Sequence, residues 1–215
     1  TIHGLTIHGL TVNSAAVSKG DLFFALPGSR RDGRDFIDDA VARGAGAIVT
    51  DDRPFERQSA IAIPILHAPN PRQVMAAAAA RFWPQQPGMI AAVTGTNGKT
   101  STVEFMRQIW ARVNWSAASI GTIGIRGIDT CDTQAPRPNI PQLTTPDSIS
   151  LHATVAAIAK QGVTHLALEA SSHGLQQYRL DGLNIHVAGF TNLSRDHLDH
   201  HCDIDDYFSA KARLF

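Results

Sequence analysis

The sequence predicts an α/β protein in two parts: a small N-terminal α/β domain over residues 1–83 and a larger domain with a mainly parallel sheet over 89–215, joined by a linker at 84–88. Three observations predict it. Short apolar runs alternate with helical patterns along most of the chain, the signature of strands joined by crossover helices. A glycine-rich turn, Val93-Thr94-Gly95-Thr96-Asn97-Gly98-Lys99-Thr100-Ser101, sits between an apolar run at 89–92 and a helical pattern reaching about Val113. The breaker Pro84-Gln85-Gln86-Pro87-Gly88 separates two alternating stretches.

Taken in order, residues 22–26 and 45–50 read as strands, and 36–43 reads as a helix that stops at Gly44. Asn70 caps the next helix with Pro71 at its first position, and an alanine-rich run carries it to Phe82. After the strand, turn and helix of 89–113 comes a Gly/Pro-rich excursion over 121–141. Thr145 then reads as an N-cap, with Pro146 as the first residue of a helix that runs to Lys160 and ends before Gly162. Residues 163–168 and 185–190 read as two more strands, and 205–215 as the start of a helix without a C-cap glycine.

Composition excludes several classes. Lys plus Arg number 19 and Asp plus Glu number 19, so no global field attracts nucleic acid or an anionic membrane, and any anion site must be local. No stretch is apolar enough to span a bilayer and no signal-peptide pattern opens the chain, so the expectation is a cytoplasmic protein, with a monomer favoured. Cys131 and Cys202 are too few for a disulfide framework and read as reduced thiols. Residues 1–5 recur identically as 6–10, a local duplication to which no function is assigned.

The glycine turn reads as a phosphate cradle. Its backbone N–H groups and the positive end of the following helix suit oxygen anions, Lys99 reaches the outer phosphates of a nucleotide, and the Thr100 hydroxyl suits Mg²⁺. The general pattern has a glycine where this chain has Val93, so Gly95 must make the turn. Ligands of open α/β sheets collect beyond the carboxyl ends of strands. Two further predicted strand ends carry unusual polar residues: Glu169-Ala170-Ser171-Ser172-His173-Gly174-Leu175, and the run from Thr191 to His201. Glu169 directly ends an apolar run, where a carboxylate can hold a metal that bridges phosphates. The histidine-rich run also approaches the His-x-His-x-Asp-His signature of metallo-β-lactamase-type hydrolases. Arg195 stands where its first histidine belongs, so His197 is expected to serve a second Mg²⁺ rather than a zinc centre.

Gly-Thr-Asn-Gly-Lys-Thr (95–100), Leu-Thr-Thr-Pro-Asp (143–147), Glu-Ala-Ser-Ser-His-Gly-Leu (169–175), Thr-Asn-Leu-Ser-Arg-Asp-His-Leu-Asp (191–199) and Asp-Tyr-Phe-Ser-Ala-Lys (206–211) stand in the order found in Mur ligases. The set most closely resembles those of the MurE type. The segments 9–14 and 20–28 look like that family's UDP-binding domain, so the likeness covers nearly the whole chain.

The resemblance implies an ATP-dependent amide ligase of peptidoglycan synthesis. It would add a third amino acid, diaminopimelate or lysine, to UDP-N-acetylmuramoyl-L-alanyl-D-glutamate through an acyl phosphate. It implies ATP held by Gly95, Thr96, Asn97, Gly98, Lys99, Thr100 and Ser101, one Mg²⁺ on Thr100 and Glu169, and the other on His197. Lys211 matches the family's carbamylated lysine, an anionic metal ligand, and with Lys99 and His197 completes the implied catalytic set. Ser14 is carried over to the uridine end, and Thr144, Thr145, Ser171, Gln177 and Arg179 to the muramoyl-dipeptide.

Asn13-Ser14-Ala15 departs from the family's frequent Asp-Ser-Arg, and Leu143 stands where some members have asparagine. The chain stops shortly after Lys211, so the rest of the central domain and the C-terminal domain, which selects the amino acid, are expected to lie beyond it. Residues 1–215 alone are therefore expected not to ligate. Two alternatives stand beside this reading: another Mur-like ligase of the folylpolyglutamate or cyanophycin synthetase type, and a nucleotide-binding module without catalysis.

Overall fold

The computed structural model describes residues 4–28, 31–53, 63–128, 144–194 and 201–215. Its chain forms two compact units, Thr1–Met75 and Ala76–Phe215.

The first unit holds β1 (Leu10–Thr11), β2 (Leu22–Phe24), α1 (Ile37–Ala42), β3 (Ala47–Thr50) and β4 (Ile65–His67). The strands pair in sequence order and all run parallel, with Phe23 opposite Ile48. Parallel strands are covered on both faces, which is why β2 and β3 are buried at every position and are apolar except at Thr50. Phe23, Ala25, Ile37, Ala40 and Ile48 form the core of this unit. The helix α2 (Pro71–Phe82) begins as its sequence predicts, the Asn70 side chain accepting from Gln73 N at 3.2 Å.

The second unit contains β5 (Met89–Thr94), α3 (Lys99–Arg112), β6 (Ala117–Gly121), β7 (Gly124–Arg126), α4 (Ser148–Lys160), β8 (His165–Glu169), α5 (Ser172–Gln176), β9 (Val187–Phe190) and α6 (Ile204–Ala212). Strand order is β7-β6-β8-β5-β9, with β7 alone antiparallel among the described strands. Alternation along β8 sorts its residues between two layers. Leu166 and Leu168 join Ile90, Ala92, Leu151, Val155 and Ile158 on one face, while Ala167 joins Val93 and Val103 on the other. Gln86, from the breaker segment, belongs to this unit: its amide donates to Gly182 O at 3.0 Å and accepts from Asn184 N at 2.8 Å.

Two local expectations are corrected, and one unassigned segment proves to be a strand. Residues 117–121, Ala-Ala-Ser-Ile-Gly, form a strand beside β8, although only Ile120 is β-branched; burial and small side chains, not propensity, admit this segment to the sheet. The N-cap of α4 is Asp147, whose side chain accepts from Ser150 N at 3.0 Å, so Pro146 precedes the helix and the Thr145 hydroxyl is engaged elsewhere. The stretch after β8, which carries no predicted element, contains the short helix α5, capped by Ser171 through a 3.0 Å bond from Gly174 N. No helix among the described residues is long and apolar enough to cross a membrane.

Candidate active site

Because β5 lies between β8 and β9, with Val93 opposite Glu169 and Thr94 opposite Phe190, three strand ends meet at one edge of the sheet. The turn leaving β5 is possible because of its glycines. Gly95 has φ +138° and Gly98, the N-cap of α3, has φ +85°, both costly for any residue with a Cβ. A Cβ on Gly95 would also sit 1.9 Å from Thr191 Oγ1.

Two lysines converge on this turn. Lys99 Nζ donates to Gly95 O and Thr96 O, each at 2.8 Å, and Lys211 Nζ donates to the same Gly95 O at 2.8 Å. Two lysine side chains thus meet at one carbonyl oxygen of the loop. Lys211 is 1% exposed and lies 4.3 Å from the centroid of the Tyr207 ring. Tyr207, fully buried on α6, donates its hydroxyl to Thr96 Oγ1 at 3.3 Å. Thr96 Oγ1 in turn accepts from Ser194 N at 3.0 Å.

The facing bank is built around Glu169, 3% exposed at the end of β8. One carboxylate oxygen accepts from Thr122 N at 2.9 Å; the other accepts from the hydroxyls of Thr100 at 3.0 Å and Thr122 at 3.1 Å. Gly121 makes room for it, since a Cβ there would fall 2.1 Å from Glu169 Oε1. The Thr144 hydroxyl lies 3.1 Å from that of Thr122 and can donate to it. Thr145 Oγ1 donates to Glu169 O at 2.9 Å and accepts from both Ser171 N and Ser171 Oγ at 3.0 Å. The Arg179 guanidinium donates to Thr145 O and, at 2.8 Å, to Gln177 Oε1.

Thus Lys99, Thr100, Lys211, Glu169, Thr144, Thr145, Ser171, Gln177 and Arg179 fall into two hydrogen-bonded clusters at one end of the second unit, joined by the Thr100–Glu169 contact. Ser14 lies in the first unit, where its hydroxyl and Arg43 hold the Asp39 carboxyl below its usual range. His197 lies outside the described residues, as do Arg195 and the rest of 195–200. Among the described residues no group of three or more His, Cys, Asp or Glu side chains could hold a metal ion. The sequence reading missed Gly121, Thr122, Asn192 and Tyr207. Asn192 and Tyr207 stand inside the motifs that carry the resemblance, while Gly121 and Thr122 have no local signal at all.

Comparison with known proteins matches residues 93–215 to the Mur ligase middle domain and residues 6–83 to the Mur ligase family catalytic domain. The chain belongs to the Mur ligase family. Among its Mur ligase relatives is the UDP-N-acetylmuramoyl-L-alanyl-D-glutamate–2,6-diaminopimelate ligase of Bradyrhizobium diazoefficiens, 54% identical over 94% of this chain and 39% of that protein. The enzyme of the same name from Brucella melitensis biotype 1 is 49% identical over 94% of this chain and 40% of its own length. A solved structure of a ligase with that name superposes with a TM-score of 0.78 at 34% identity, covering 97% of this chain and 40% of the other. The chain therefore spans about two fifths of the length of the Mur ligases it matches.

Proposed function

We propose that this chain is the part of a ligase that binds ATP and a UDP-linked muramoyl-dipeptide, the whole enzyme adding 2,6-diaminopimelate to UDP-N-acetylmuramoyl-L-alanyl-D-glutamate. The names of its relatives support the substrate and the amino acid. The observation that carries the reading is the 3.0 Å contact between Thr100 of the phosphate loop and Glu169 of the neighbouring strand, beside the two lysines on Gly95 O. A hydroxyl and a carboxylate in contact form a hard oxygen pair of the kind Mg²⁺ takes, and the space Gly121 leaves keeps that carboxylate in place.

In this reading residues 1–83 hold the uridine end through Ser14, 84–88 link, and 89–215 form the ATP-binding part. The separate matches over 6–83 and 93–215 support that division. Lys99 and the first-turn amides of α3 hold the nucleotide phosphates. Thr100 and Glu169 hold one Mg²⁺ and His197 a second; bound metal offsets the charge that builds on the transferring phosphoryl group. Lys211 serves as a carbamate, formed from its amine and CO₂ with loss of a proton, because an ammonium does not bind a cation. Thr144, Thr145, Ser171, Gln177 and Arg179 orient the dipeptide, whose terminal carboxylate is to be activated as an acyl phosphate. We place the enzyme in the cytoplasm, as a monomer.

Calorimetric titration of residues 1–215 tests the nucleotide part. Mg²⁺–ATP binds, and Lys99→Ala weakens it by about 100-fold, within the range of one lost hydrogen bond to a charged group. The full-length enzyme releases phosphate only when ATP, UDP-muramoyl-dipeptide and diaminopimelate are all present; release without the dipeptide contradicts the proposal. Residues 1–215 alone form no tripeptide.

A further inference from the structure

Two of the amides that a phosphate loop is expected to offer its ligand are already committed. Thr96 N donates to Asn192 O at 2.9 Å, and Asn97 N donates to Asn192 Oδ1 at 3.1 Å. The same carboxamide returns a bond, Asn192 Nδ2 donating to Asn97 O at 3.2 Å. Thr191 reinforces it, its hydroxyl donating to Asn97 O at 2.6 Å and lying 3.3 Å from Thr94 O. A carboxamide accepts from an N–H through its oxygen and donates to a C=O through its nitrogen, so Asn192 extends β9 across the loop as a strand residue would. The missing side chain of Gly95 is what lets Thr191 come this close.

Resting on the phosphate-loop reading above, we propose that Asn192 is a positioning residue for nucleotide binding: it does not touch the nucleotide, but locks the Asn97 backbone so that the first-turn amides of α3 face the phosphates. Those amides, of Lys99, Thr100 and Ser101, precede the first helical bond, from Thr102 N to Gly98 O. A turn with two glycines at positive φ has many conformations to lose on binding. Tying it to a strand end beforehand removes that loss from the binding free energy.

Asn192 is exposed, so its variants leave the fold intact. Titration of residues 1–215 with Mg²⁺–ADP, alongside thermal melting without nucleotide, tests the assignment. Asn192→Ala is expected to bind roughly ten-fold more weakly, since ordering about one residue of the turn then falls on binding, with its melting temperature little changed. Asn192→Asp keeps an acceptor but loses the donor. Its affinity should rise relative to Asn192→Ala as the pH is lowered and a protonated carboxyl regains an O–H for Asn97 O. Lys99, Lys211 and Glu169, the other charged groups at the loop, are common to both variants and cancel in the ratio. A structural role would lower the melting temperature of Asn192→Ala together with its affinity. Binding by Asn192→Ala that equals the unaltered chain overturns the inference alone. Tighter binding also overturns it, because Asn192 would then compete with phosphate for the two amides. If the unaltered chain binds no nucleotide, the phosphate-loop reading falls and the inference falls with it.

Discussion

The two banks of the site are held by different kinds of bond. The phosphate loop is secured mainly through its own backbone, whose carbonyls and amides meet Lys99, Lys211, Thr191 and Asn192. The Glu169 bank is secured by side chains: three threonine hydroxyls, from Thr100, Thr122 and Thr145, converge on one buried acid residue. Backbone groups survive substitution, so the loop tolerates change except at its glycines and at the side chains that reach it. The acid bank has no such reserve. Single substitutions there are expected to cost stability, whereas those at the loop, its two glycines apart, are expected to cost ligand affinity.

The largest effect that would break this contrast is sought at Gly121. Gly121→Ala drives a Cβ into the Glu169 carboxylate and is expected to destabilise the chain by about 2–3 kcal/mol, in the range of core overpacking, as read by urea unfolding. If stability is unchanged while nucleotide affinity falls, the acid bank behaves like the loop and the contrast fails. Thr145→Val comes next. It removes one donor and one acceptor serving Glu169 O, Ser171 N and Ser171 Oγ in a site 2% exposed, for an expected loss of about 2 kcal/mol. The smallest effect concerns Glu104 of α3. Arg107 holds the Glu104 carboxyl at about 2, down from 4.5, and Ser119 of β6 also donates to it at 3.2 Å. A carboxyl with a depressed pKa stabilises the fold above its unfolded value. Stability should therefore fall as pH drops from 4.5 through 2, and Glu104→Gln should flatten that fall by less than about 1 kcal/mol, since the pair is partly exposed.

Much of the loop bank was legible. Lys99, Thr100 and both glycines lie within a few residues of one another, between an apolar run and a helix, and local chemistry fixes what such a turn can do. The acid bank was legible at Glu169 alone, because a carboxylate closing an apolar run is conspicuous. Thr122 was not, since it follows a strand of small residues that carries little strand propensity and was passed over. Thr-Pro is a good helix start, so from sequence alone Thr145 reads as a helix cap. Asp147, two residues on, is the better acceptor for the first-turn amides and frees the Thr145 hydroxyl for Glu169 O. Asn192 was visible as a residue but not as a tie, since its partners lie 95 positions earlier in the chain.

The amino-acid sequence by itself determined the alternation of strands and helices, the phosphate turn and the family, since each rests on neighbours in the chain and on their order. Tertiary structure decided which polar side chains face one another. The Glu169 contacts join residues 24, 47 and 69 positions apart, and only the strand order, with β8 between β6 and β5, brings them within hydrogen-bond reach. A hydrogen bond acts over about 3 Å, so its partners are chosen by the packing of the sheet and not by proximity along the chain.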